Sequence, residues 1–507
     1  MSVQADLPTT DPPSQQSGGA NLARRVARGG VLLIAARTLT QVALWPVIFI
    51  VARLLNPSDY GLMTSGMIFV GLTDTLSDAG MARALVQKKD MQPRDVSEAF
   101  TITVGLAALC YAVLFLSADL IASFLHSPEF APFLRVLALT TVLIPFRAIP
   151  LALLEREHML GSQSVVHVTS ALIQPAVLLG MALAGMSYWS LVIGVLVARV
   201  TEAVLLAWFA RWRPRLAVPG ERARSLLGFA VHVTISNLLW YVYSNADVAV
   251  VRKMLGQTIL GYYSMAFQLM SLPVQKLTTN VNAVIYPVYC RLQNDRPRLR
   301  DGYLRLTVLL GVLGIPILTG MALVANDAFS LLLGDKWKEA ILPFQTLCFV
   351  GSIMVISVSL PPLLNALGRP DLNTKFFLVN TLVLPAGFIV GGWWDGLIGI
   401  CAAWLVLYPL LTAGFVHLTR HTTNVSLGAL CKAQLPVVAA VLFMSLVVLG
   451  VQYAVGEGAS SLLRLTVSSL TGIVAYAGFL FVFARQTVVS TLFSLWLELR
   501  GRESAAA

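Results

Sequence analysis

Fourteen apolar runs follow one another through the chain, at roughly 29–54, 61–80, 98–124, 132–154, 163–186, 188–210, 225–250, 259–288, 303–326, 341–366, 375–392, 397–419, 433–454 and 463–485. A helix of about twenty apolar residues spans the hydrocarbon core of a bilayer. Inside hydrocarbon, only helices and closed barrels satisfy every backbone polar group. With 57% of its residues apolar and only 12% charged, the chain has far more apolar surface than a water-soluble core can hide. It therefore reads as an all-α integral membrane protein of about fourteen transmembrane helices. No connection between runs exceeds about eighteen residues, so function is expected among the helices and no extramembrane catalytic domain has room to fold. A transporter, not an enzyme, is the expected class.

The formal charge of +11 would suit nucleic acid in a soluble protein. Here the basic residues fall in short clusters between the runs, as topology signals do, and nucleic-acid binding is not expected. If the N-terminus is cytoplasmic, 25 of the 36 Lys and Arg residues lie on the inner side, seven lie outside (Arg53, Arg135, Arg252, Lys253, Lys336, Lys338 and Arg464) and four lie within runs. That bias puts both termini in the cytoplasm and requires an even number of spans. The five cysteines are widely separated, with no Cys/His cluster, so neither a disulfide framework, a metal site nor a cofactor is indicated.

An internal repeat divides the chain. VARLLNPSDYGLMTSGM, at the junction of the first two runs, matches VVRKMLGQTILGYYSMAF at the junction of the seventh and eighth. The fourth run ends PLALLEREHM and the tenth ends PPLLNALGRPDL, while the fifth and eleventh each carry Pro-Ala (Pro175-Ala176 and Pro385-Ala386). A repeated unit of six helices keeps one orientation, so the two copies form parallel bundles about an axis along the membrane normal. The expected layout is a disordered cytoplasmic tail over 1–24, six-helix bundles over 25–220 and 221–424, and two further helices over 425–485. A cytoplasmic tail over 486–507 includes an interfacial helix at 486–499. Two parallel bundles enclose a cleft suited to alternating access.

The strings LLNPSDYGLM, LSDAGMARALVQKKD, LGYYSMAFQLMSLPVQ, VIYPVYCRLQND, LLLGDKWKEA and LNALGRPDL resemble the polysaccharide transporter family. These are the Wzx-type lipid-linked oligosaccharide flippases of the multidrug/oligosaccharidyl-lipid/polysaccharide exporter superfamily. The resemblance runs in order over about residues 25–425. It implies a bacterial inner-membrane flippase that moves an undecaprenyl-pyrophosphate-linked repeat unit for exopolysaccharide or lipopolysaccharide synthesis. Implied partners are the lipid-linked oligosaccharide, membrane lipids, and a polysaccharide polymerase with its export machinery. A cation-coupled drug or metabolite antiporter and a lipid II flippase are the alternatives within the superfamily. Short outer loops count against a membrane polymerase.

A pyrophosphate crossing the bilayer needs fixed cations in a wet cleft to offset its desolvation. Arg37, Arg147, Arg199 and Lys276 sit at membrane depth, where each Arg or Lys costs about 2.5–3.5 kcal/mol to insert. Arg37, with Thr38, Thr40 and Gln41, forms a polar stretch on the first run and ranks first for phosphate contact; Lys276, after Pro273, ranks second. Arg147 lies near the cytoplasmic end and could snorkel. Arg199 has Glu202 three residues on, sharing a helix face. Asp74, Asp247 and Glu202 are candidates for ion coupling, since burial favours reversible protonation of a carboxyl. A local ion pair with Arg252 is the other reading of Asp247. Ser77-Asp78 is expected to cap an amphipathic segment at 79–89, and His232 to be a packing histidine. Trp240, Tyr241, Tyr243, Tyr262 and Tyr263 suit either an oligosaccharide path or an interfacial belt, as do Trp393 and Trp394.

Overall fold

The computed structural model describes residues 46–483 except 79, 89, 219 and 457. Arg37, the tail 1–24, the start of the first run and the segment 486–507 lie outside the described residues.

Regular structure among the described residues is entirely helical, and nine helices are long and apolar enough to cross a membrane. A short helix α1 (residues 46–54) ends in an elbow, and α2 (Pro57–Asp78) leaves it. Pro57 suits the first helical position, where no amide partner is needed. The Asp59 carboxylate accepts from the Asn56 amide at 2.8 Å, which fixes the angle of the elbow. The amphipathic segment at the far end of α2 is the helix α3 (Met81–Gln87), but its N-cap is Gly80 with no side-chain hydrogen bond. The expected Ser77-Asp78 cap is therefore not used: a left-handed glycine turns the chain instead. Pro93 starts α4 (Pro93–Phe124), where Gln92 and Asp95 form a capping box.

The fourth run breaks into α5 (Phe130–Leu137), α6 (Leu139–Val142) and α7 (Ile144–Arg156). The break before α7 precedes Pro145, which disfavours helical backbone just before it. α8 (Leu160–Leu183), α9 (Ser187–Phe209), α10 (Glu221–Leu255), α11 (Gln257–Leu292) and α12 (Arg296–Leu323) follow. A second broken stretch comprises α13 (Ala325–Leu332), a 3-10 turn (Asp335–Ala340), α14 (Ile341–Ser357) and α15 (Leu360–Ala366), the last beginning at Pro361-Pro362. α16 (Pro370–Thr423) is 54 residues long, too long for one crossing, and leaves helical geometry at Asp395 and Gly396 (φ 52°, ψ −125°). Its two arms fold back so closely that a Cβ on Gly391 or Gly399 would collide with the other's carbonyl. α17 (Leu427–Val455) and α18 (Ser461–Phe483) pack on each other and against α12.

The largest core lies in the C-terminal half and includes Tyr263, Tyr303, Trp337, Phe388 and Trp404. The N-terminal half has smaller clusters, one around Phe130, Phe133 and Leu137 and another around Met81, Phe100 and Ile149. Large apolar side chains such as Leu116, Leu120, Leu442 and Leu446 face outward, where lipid covers them. α2 is the seam between the halves, packing along both α10 and α11.

Candidate functional site

The end of the bundle that carries the α1/α2 elbow is closed by contacts that cross between the halves in reciprocal fashion. Gly61 on α2 lies against the Gln257 backbone, and Gly261 on α11 lies against the Pro57 backbone; a Cβ at either glycine would overlap the facing carbonyl. Only a residue without a side chain permits that approach. Arg53 donates through Nε to the Leu332 carbonyl at 3.0 Å and through Nη2 to the Leu331 carbonyl. Lys253 donates to the Phe124 carbonyl at 2.7 Å and sits 3.7 Å from the centre of the Phe124 ring. Each cation thus caps the C-terminal end of a helix in the other half, α13 and α4, where free carbonyls and the helix dipole favour positive charge.

The same exchange extends to the loops. The Trp337 indole is fully buried, donates to the Ala52 carbonyl at 2.9 Å, and meets Tyr60 and Tyr262 edge-on. Lys336 donates to the carbonyls of Arg53 and Leu55. On the other side, the Gln257 amide donates to the Ser58 carbonyl at 3.1 Å and to Glu129 at 3.0 Å, and its oxygen accepts from Ser127 at 3.2 Å. Each elbow is gripped by the loop of the opposite half. Trp337→Phe leaves a buried carbonyl without its donor, a loss of about 1–3 kcal/mol. It is expected to raise the rate at which a maleimide labels a cysteine placed at Ser58 in the purified protein.

Deeper in the N-terminal half, four of the expected charges meet. Arg147 on α7 donates to Glu202 on α9 at 2.8 Å through Nη2 and 2.9 Å through Nε, and Arg199 reaches the same oxygen at 3.8 Å. Asp74 on α2 lies close enough to act electrostatically on Arg199 and on Tyr241. Two arginines and two carboxylates therefore share one site, about 18 Å along α9 from its Ser187 end at 1.5 Å per residue. Arg147 thus reaches a carboxylate on a neighbouring helix. Its side chain and that of Glu202 keep 18% and 25% of their exposure: the site is partly open, not sealed in the core.

Asp247 behaves differently. It is buried, and the Tyr263 hydroxyl donates to it at 2.5 Å while the Trp404 indole donates to Tyr263 at 2.9 Å. Arg252 instead reaches Gln257 at 3.4 Å, so in place of the expected Asp247–Arg252 ion pair Asp247 ends a hydrogen-bonded chain through Tyr263 and Trp404. Five residues of helix leave Arg252 about 140° around the axis from Asp247, and the elbow brings Tyr263 back beside it. Lys276 is exposed on α11, beside the exposed Gln275. Of the aromatics, Trp393 and Trp394 are 81% exposed, as an interfacial belt requires. Tyr263 is core, and Tyr241 donates to the Met67 and Ile68 carbonyls of α2 at 3.1 and 2.8 Å, so neither belongs to a belt. The side chain of His232 lies outside the described residues. Trp337, Gln257 and the two glycines were not among the expected functional residues. The signal for the glycines was present in the repeat, since Arg53 and Gly61 align with Lys253 and Gly261 at a constant offset of 200.

Residues 50–342 match a family model described as polysaccharide biosynthesis protein. The chain is 28% identical over 371 residues to the lipopolysaccharide biosynthesis protein WzxC of Escherichia coli, covering 72% of this chain and 74% of that one. It is 24% identical to the succinoglycan biosynthesis transport protein ExoT of Rhizobium meliloti, covering 84% and 87% of the two chains. The fold superposes on the lipid II flippase MurJ in an inward closed conformation with a TM-score of 0.72, at 14% identity, over 90% of this chain and all of that one. A match over more than half its length, on an all-helical membrane fold, makes this chain a member of the polysaccharide biosynthesis protein family, of the Wzx type.

Proposed function

We propose that the chain flips an undecaprenyl-pyrophosphate-linked oligosaccharide repeat unit across the bacterial inner membrane, for exopolysaccharide or lipopolysaccharide synthesis, by alternating access. The observation that carries this mechanism is the reciprocal closure of one end of the bundle, made of contacts that cross between the halves and so can part when the halves rock. The names of WzxC and ExoT support the substrate class.

The finer architecture is fourteen spans, as six-helix bundles over 25–220 and 221–424, with α17 and α18 appended. Supporting it are the two antiparallel arms of α16 and the reciprocal elbow contacts, which a parallel repeat produces. In this reading both termini are cytoplasmic and the closed elbow end faces outward. The seven cations on that side have local work to do: Arg135 pairs with Asp119, Lys338 with Asp335 and Arg464 with Asp327. Arg53, Lys253 and Lys336 hold carbonyls, and Arg252 holds Gln257. Closure accounts for Arg53, Lys253 and Lys336 and local contacts for the other four, which leaves the inward bias of the rest as the topology signal.

In the cleft, Arg37 and Lys276 hold the pyrophosphate, and Arg147 and Arg199 offer further positive charge when Glu202 yields them. Asp74, Glu202 and Asp247 are the groups through which a cation gradient would act. Polymerase and export proteins would act next. In a strain lacking the gene, the lipid-linked intermediate is expected to accumulate on the cytoplasmic side. Re-expression of Arg37→Ala, and to a lesser degree Lys276→Ala, is expected to leave export abolished at normal membrane levels of protein. Full export by Arg37→Ala removes that residue from the substrate path. Loss of drug efflux with normal polymer would favour the antiporter reading.

A further inference from the structure

At the end opposite the elbows, the connection between the two halves builds a cationic cavity. Arg211 ends α9 with φ 47°, a left-handed turn unusual for a side-chain-bearing residue, and the Trp212 amide closes the turn on the Ala207 carbonyl at 3.0 Å. The chain then runs without regular structure across the base of α4. Trp212 packs edge-on against Phe100 with ring centres 5.0 Å apart, and the Ala217 amide donates to Thr101 at 2.9 Å. Pinned at those two points, the connection holds Arg211, Arg213 and Arg215 at alternate positions beside Arg94, around a cavity of about 610 Å³.

Arg94 is neutralised by Glu98 at 2.8 Å. The other three arginines form no ion pair among the described residues, so the cavity carries about three uncompensated positive charges. Beside it, Leu216 and Val218 are 73% and 82% exposed, and Trp208, on the last turn of α9, is 69% exposed. Unpaired cations next to exposed apolar side chains at a membrane boundary match an amphiphile: phosphate in the cavity, acyl chains against the leucine, valine and tryptophan. A free phosphate gives no account of the apolar rim.

We infer that this cavity binds the headgroup of an anionic glycerophospholipid, fastening the connection between the two halves to the membrane surface. The inference rests on the chain being membrane-embedded and not on what it transports. Each charged contact at such a surface contributes about 1 kcal/mol, so removal of three is expected to weaken binding by roughly 100-fold. The test uses the full chain, purified in neutral detergent and titrated with phosphatidylglycerol while bound lipid is counted by native mass spectrometry. Arg211→Gln/Arg213→Gln/Arg215→Gln is expected to lose the retained lipid. Arg298→Gln/Arg300→Gln, which lowers the net charge through exposed residues elsewhere, is expected to keep it. Should the triple variant fail to fold, Arg213→Gln/Arg215→Gln, which leaves the α9 turn intact, gives the same readout at roughly 30-fold. Equal retention by wild type and these variants overturns the site. So does equal loss with Arg298→Gln/Arg300→Gln, equal binding of phosphatidylcholine, or displacement of the lipid by millimolar inorganic phosphate. Transport assays play no part in the readout, so a failed flippase reading and a failed lipid site remain distinguishable.

Discussion

Gly61→Val is expected to abolish polymer export in complementation while the protein is still made and inserted. The facing atom at Gly61 is the Gln257 carbonyl, part of a helix backbone that cannot swing aside as a long side chain would. A branched side chain there forces α2 and α11 apart. Overpacking of a close contact costs about 1–3 kcal/mol where side chains can give way, and a backbone obstacle raises that figure. Since 1.4 kcal/mol is a factor of ten in population, the closed arrangement falls by roughly 100-fold or more relative to one with the elbow end parted. Gly261→Val meets the Pro57 carbonyl and is expected to behave alike. The checks are export of polymer and labelling of a cysteine at Ser58 by a maleimide in the purified protein, which should rise in both variants. Export at wild-type level with either valine would show that the glycine approach is not required for closure.

Glu202→Gln should have the second largest effect, seen first in the amount of folded protein. The glutamate is shared by Arg147 and Arg199, and the substitution leaves two cations at membrane depth with Asp74 as their remaining neighbouring carboxylate. Breaking a buried pair by removing one partner costs about 3–5 kcal/mol. The side chains retain 18–28% of their exposure, so a cost nearer 2–3 kcal/mol is appropriate. That is enough to lower the folded amount several-fold, as read by size-exclusion chromatography of detergent extracts carrying a fluorescent tag. Adding Arg199→Gln to Glu202→Gln should restore much of the loss, because one cation then goes with one carboxylate. A Glu202→Gln protein of normal abundance that no longer exports would place the carboxylate in the transport cycle itself.

The helical architecture was legible because hydropathy is local: a run of twenty apolar residues means the same thing wherever it occurs. The pairing of Arg199 with Glu202 was legible for a similar reason, since three residues along one helix is a fixed geometry. What could not be read from spacing alone depended on chain reversals. Asp247 and Tyr263 are brought together by the α10/α11 elbow, and Arg147 meets Glu202 across two helices, so neither partner lies at a helical period from the other. Trp337 sits in a string quoted for its resemblance, LLLGDKWKEA, yet nothing local tells that its indole reaches the first elbow 285 residues away. Gly61 and Gly261 were visible as matched positions of a repeat. Their meaning required the two copies to face each other.

That facing arrangement has a kinetic consequence. Each half holds the other at two separate places, and every bond in the closure is individually modest, about 1 kcal/mol net for the neutral ones and about 1.5–3 kcal/mol for those made by Arg53, Lys253 and Lys336. Linkages acting in parallel must all be broken at the same moment for the end to part, whereas any one of them can flicker open harmlessly while the rest persist. Spontaneous full opening is then rare although no single contact is strong. The end can thus stay shut between turnovers, and motion of one half against the other releases all the linkages in one step.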